Sequence, residues 1–163
     1  MTNPSELALA ALWKKLNFNT NTLADRIRLQ KTVYLLSKLG YNELKAYEKT
    51  YQMYIYGPYS QKVARDAFML STQEIVDTPL SKEQTEILKR FCDLESSLPN
   101  KNEAPLYSNL ELMANILYLL ENNQSHDLKS IFAYLATKKS YFNDLVYFNK
   151  ALDILQSSGL IHL

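Results

Sequence analysis

Three glycines serve a chain of 163 residues: Gly40, Gly57 and Gly159. With only five prolines besides, the chain lacks the turn residues that a protein of many strands requires at its hairpins. Long apolar periodicities fill the space between, and they predict helices. Leu9, Leu12, Trp13 and Leu16 recur at helical spacing within Ser5 to Phe18. A second helix is predicted over Asp25 to Leu39, ended by Gly40. Leu29, Val33 and Leu36 fill one arc of its wheel, and Ile27 and Tyr34 a second. Two apolar arcs place this helix between neighbours, at the centre of the core.

The stretch Tyr51 to Tyr56 alternates sides and predicts a short strand. Gly57-Pro58 stops it, and Pro58 or Ser60 opens a helix to about Leu70. Glu74 to Asp77 reads as a second brief strand. Ser81 and Gln84 have capping-box spacing and start a helix to about Ser96; Ser108 and Glu111 repeat that spacing before a helix to about Glu121. Two more helices are expected over Ser125 to Thr137 and Asn143 to Gln156, followed by a short extended tail. The expected fold is mostly α: one helical domain over residues 1–163 with a minor β element and a helix-turn-helix-like variant in view. The polar segment 98–105 is expected to be a surface loop separating two sub-lobes. Leu29, Val33, Leu36, Val63, Phe68, Leu117 and Leu155 are the expected core.

With 47% hydrophobic residues, a chain of this length can bury about two thirds of its unfolded surface. Its one cysteine, Cys92, rules out an internal disulfide and points to a reducing compartment. No signal peptide or membrane span is visible, so the expected location is cytoplasmic, with no membrane partner. The formal net charge is +1, but residues 1–65 hold ten Lys and Arg against four Asp and Glu, and the remainder eight against thirteen. That asymmetry marks a partner or self-association surface, unless the two halves of the sequence interleave in space.

Catalytic chemistry has little to rest on. His126 and His162 are the only histidines, no zinc-type ligand set stands out, and glycine-rich phosphate loops and nucleophile elbows are missing. Cys92, beside Phe91 on an amphipathic helix, reads as a buried inert thiol. The expectation is no enzyme, no metal and no cofactor.

The segments "RIRLQKTVYLLSKLG" and "YQMYIYGPYSQKVARD" resemble those of the bacterial and archaeal YwgA-like proteins, which pair a "kLQKxxYLL" helix with a "YGPYS" turn. More distantly the chain looks like the Panacea, or SocA-type, antitoxin domain. The likeness runs from about Asp25 to Leu163 and is sharpest at Leu29-Gln30-Lys31, Tyr34 and Tyr56 to Ser60. The chain departs from the Panacea pattern where Tyr59-Ser60 follows the Gly-Pro pair. The resemblance implies a non-catalytic helical module acting as an antitoxin, adaptor or regulator, and implies no substrate.

Two readings of "YIYGPYS" follow. In one, Tyr56, Gly57, Pro58 and Ser60 are a structural motif whose tyrosines cover a wet core edge. In the other, the tyrosines bind a partner: seven of the twelve lie between Tyr34 and Tyr59. Arg28, Lys31, Lys62 and Arg65, with Tyr59 beside them, are the candidate partner-binding residues. They read either as one mixed aromatic and cationic site or as solvated helix faces, and Lys31 alternatively pairs with a carboxylate inside the bundle. A protein partner is the favoured expectation. Nucleic acid, met by the Lys62–Arg65 helix of a winged-helix-like regulator, is the alternative, and a homodimer is a third arrangement.

Overall fold

The computed structural model describes residues 3–122 and 127–163. It is mostly helical, with one small antiparallel sheet. Helix α1 spans Pro4–Lys15, with the Asn3 side chain capping its start. Helix α2, Leu23–Leu39, is capped by Thr22 and ends at Gly40, whose φ of +105° is the left-handed conformation a helix stop favours. A 3₁₀ turn at Asn42–Leu44 leads into the short α3, Lys45–Glu48. Strands β1, Tyr51–Tyr54, and β2, Gly57–Ser60, precede α4, Gln61–Ser71. Then come α5, Lys82–Ser97, α6, Ser108–Asn122, and α7, Leu128–Lys138. A 3₁₀ turn at Ser140–Phe142 and α8, Leu145–Ser157, complete the chain.

Helices α2 and α6 pack together at the centre. Every residue from Leu29 to Ser37 is buried, as is every residue from Ser108 to Leu117. A helix buried all round must have neighbours on every side: α5 and the hairpin flank α2, while α7, α8 and β2 flank α6. The expected core residues Leu29, Val33, Leu36, Val63, Leu117 and Leu155 are buried. Phe68 is not: the residue is 64% exposed. Helix α4 turns Val63, Ala67 and Leu70 inward, and Phe68 falls about a quarter turn past that arc.

The Gly-Pro pair does not end the sheet; it begins the second strand. Tyr51 faces Ser60, Gln52 faces Tyr59, Met53 faces Pro58 and Tyr54 faces Gly57. Neither Ile55 nor Tyr56 has positive φ, whereas Gly57 has φ +96°. The left-handed residue therefore sits just after the two-residue turn, as in hairpins closed by a glycine bulge. The expected strand at Glu74 to Asp77 pairs with nothing among the described residues. Its place is taken by an irregular connection, where Lys15 donates to Asp77 and to the Thr78 carbonyl.

Ser81 and Gln84 form the reciprocal capping box, but Ser108 and Glu111 do not. Helix α6 already includes Ser108, and its start is capped from the preceding loop: Asn100 Oδ1 accepts from the Ser108 hydroxyl at 2.6 Å and the Asn109 amide at 2.9 Å. The loop is also tied to α8, through Lys101 and Asp144 at 3.1 Å and through the Tyr147 hydroxyl donating to the Pro99 carbonyl. Of the expected helix over Ser125 to Thr137, Ser125 and neighbouring His126 lie outside the described residues; the described part starts after an Asp127 cap. No helix among the described residues is long and apolar enough to cross a membrane.

Candidate functional site

An edge strand leaves every second residue's N–H and C=O pointing away from the sheet, without a partner. On β2 those residues are Pro58 and Ser60. All four outward positions are accounted for. Pro58 has no N–H to leave unpaired, and its carbonyl accepts from Lys31 Nζ at 2.8 Å. The Gln30 carboxamide meets Ser60 twice: Nε2 donates to the Ser60 carbonyl at 2.9 Å, and Oε1 accepts from the Ser60 amide at 3.0 Å. Gln30 thus stands where a third strand would. Its own carbonyl accepts from the Tyr51 hydroxyl at 2.9 Å. The Ser60 hydroxyl accepts from the Val63 amide at 3.1 Å and caps α4. Gly57, Pro58 and Ser60 are buried, so this part of "YIYGPYS" is scaffold.

Behind the hairpin lies a polar cluster inside the bundle. Glu111 of α6 is buried and accepts from the Tyr141 hydroxyl at 3.1 Å. Burial raises its carboxyl to about 7, against the pull of Lys139, the Tyr141 hydroxyl and Lys31. Burial likewise lowers the Lys31 ammonium to about 7, against the field of Glu111 and with that of Lys139. Lys31 and Glu111 feel each other without direct contact. Lys139 stacks its ammonium 3.9 Å from the Tyr56 ring centre. Because the folded-state pKa of Glu111 lies above its ordinary value, folding favours the protonated carboxyl. Its contribution to stability is lost as pH rises from about 4.5 to about 7. A Glu111→Gln variant does not titrate. Its stability relative to the parent should therefore grow by about 2 kcal/mol between pH 5 and pH 7. Urea titrations at the two pH values measure this, and a pH-independent difference would place the carboxyl in water.

On the outer side of the hairpin, α2, β2 and α4 enclose a cleft of about 570 Å³. Leu29, Gln30, Lys31 and Ala67 form its buried base. Leu23, Arg26, Tyr54 and Phe68 form an exposed rim, and Ile27, Tyr56, Tyr59 and Ala64 lie between. The Tyr54 and Tyr59 rings meet edge to face at 5.1 Å. These two tyrosines also line a smaller cleft that contains Gln52, Lys62 and Arg65.

The five candidate residues divide among these places. Tyr59 belongs to both clefts and is half-buried. Lys31 lines the large cleft but is only 1% exposed. Lys62 and Arg65 line the small one. Lys62 is engaged by Asp66 at 3.3 Å and Glu6 at 3.6 Å; Arg65 is exposed and makes no ion pair among the described residues. Arg28 lines neither cleft. It donates to the Leu16 carbonyl at 2.6 Å and to that of Asn17, with its guanidinium 5.1 Å from the Phe18 ring centre. The unpaired carbonyls at the C-terminus of α1 attract a cation, which draws Arg28 away from the other four.

Leu23 and Arg26 escape the sequence reading, which placed Phe68 in the core and not on the cleft rim. The only signal was an apolar residue on α4 outside its inward arc, which earns notice only when a second wall faces it. Cys92 is exposed, although Phe91 beside it is buried; partial burial and the neighbouring Glu95 and Asp93 push its thiol up, away from the reactive thiolate. No family model matches the chain, and neither a curated protein nor a solved structure matches it.

Proposed function

We propose that this chain is a non-catalytic cytoplasmic binding module that acts by protein–protein interaction, in the manner of the antitoxins and adaptors its sequence resembles. The observation that supports this is the cleft: Leu23 and Phe68 stand 47% and 64% exposed on the two sides of an apolar trough floored by buried residues. Large apolar side chains kept in water around a concavity are the mark of a surface that another molecule covers. The alternative, a nucleic-acid-binding regulator, has less support. It needs a row of available cations, yet Lys31 is buried, Lys62 is ion-paired and Arg28 is occupied at α1.

A photo-crosslinking amino acid placed in cells at position 68, and as a control at exposed Val146, tests the reading. A discrete protein adduct is expected at 68 and not at 146, and it should disappear in a Leu23→Glu background. A nuclease-sensitive adduct would favour the regulator instead. Equal labelling at both positions would deny the cleft a role.

A further inference from the structure

Resting on that reading, we propose that the cleft takes an amphipathic helix of a partner protein whose apolar stripe is flanked by carboxylates. The shape argues for a helix. Leu23 and Ile27 lie one turn apart along α2, and Ala64, Ala67 and Phe68 line the facing side of α4. Two helices with small residues between them form a trough in which side chains at i, i+3, i+4 and i+7 of a third can seat. An extended strand is less suited, because the outward edge of β2 on this side is already satisfied by Gln30 and Lys31.

The charge argues for acidic flanks. No Asp or Glu lines the large cleft or the small one that shares Tyr54 and Tyr59 with it. Arg26 stands exposed on the α2 wall, with one hydrogen bond to the Thr20 carbonyl and other donors to spare. Arg65 stands exposed on α4, one turn before Phe68. The two arginines belong to the two helices that wall the cleft, Arg26 to α2 and Arg65 to α4, while Leu23, Ile27, Ala64 and Phe68 line the cleft itself, an arrangement that suits carboxylates bordering an apolar stripe. A duplex phosphate backbone would ask for a row of available cations, which two arginines on opposite walls do not make.

Three synthetic helical peptides with one identical leucine–phenylalanine stripe, flanked by Glu, Gln or Lys, test this against the full chain. Methyl resonances of Leu23, Ile27 and Ala67 report where each binds, and fluorescence anisotropy reports how tightly. The Glu-flanked peptide should perturb the cleft methyls and bind about tenfold more tightly than the Gln-flanked one. That preference should vanish in an Arg26→Gln, Arg65→Gln double variant that still binds both peptides. Equal binding of the Glu and Gln peptides in the cleft would overturn the acidic flank while leaving the protein-interaction reading intact. Tighter binding of the Lys peptide, or of random-sequence duplex DNA at the same methyls, would overturn the inference. If no peptide perturbs the cleft methyls, helix docking is wrong, and the crosslink at position 68 then decides the broader reading separately.

Discussion

Gly57→Ala is expected to destabilise the fold by about 3 kcal/mol, the combined effect of a strained backbone and an overpacked contact. Gly57 has φ +96°, and a methyl group built on it would lie 2.5 Å from Asn115 Nδ2 and 2.9 Å from its Cγ. Asn115 has little room to yield: it is buried on α6, and its Nδ2 already donates to the Glu111 carbonyl at 2.8 Å. The two contributions separate in a double-mutant cycle. Asn115→Ala should restore part of the loss in the Gly57→Ala background by opening space, leaving the backbone strain behind. Urea unfolding midpoints measure each corner. A Gly57→Ala loss below about 1 kcal/mol would mean that the hairpin moves off α6 at little cost.

Gln30→Met should cost about 3 kcal/mol, because a side chain of similar length replaces the carboxamide, leaves the buried Ser60 amide without a partner and takes one bond from the Ser60 carbonyl, which as the N-cap of α4 keeps its helical one. The bonds are of ordinary length, at 2.9 Å and 3.0 Å, and Gln30 and Ser60 are both buried, so the lost bond is not simply exchanged for one to bulk solvent. The loss should show as lower thermal and urea stability with a native-like helical signal before unfolding. A variant within about 1 kcal/mol of the parent would show that the β2 edge finds other partners.

These two positions also show where the sequence was legible. Helix α2 could be read from its two apolar arcs and from Gly40, because burial on several sides and a left-handed stop each leave a local trace. The Gln30–Lys31 pair and the Gly57–Ser60 run stood out as motifs, but the bond between them could not be read: it joins residues thirty apart, and a glutamine has no local sign that it will imitate a strand. Glu111 misled for a related reason. Its spacing from Ser108 satisfies a capping box, yet Asn100 caps the helix from another segment and leaves Glu111 to the interior. The composite cationic site was half legible. Tyr59, Lys62 and Arg65 sit together because one strand and one helix turn carry them, whereas Arg28 turns toward the end of a helix whose position only the tertiary fold decides.

Ser60 ends β2, exchanges two bonds with Gln30 of α2, one donated and one accepted, and caps α4. No one of these three elements can come apart without releasing the other two. Amide hydrogens at Ser60 and Val63 should therefore exchange only through global unfolding, at rates matching the slowest in α2 and α6, and not through local fraying of the hairpin. For the cleft this means that its walls hold their spacing while empty. On the proposed reading, a partner would meet a surface already in its bound shape, and encounter, not closure of the receptor, would set the rate of association.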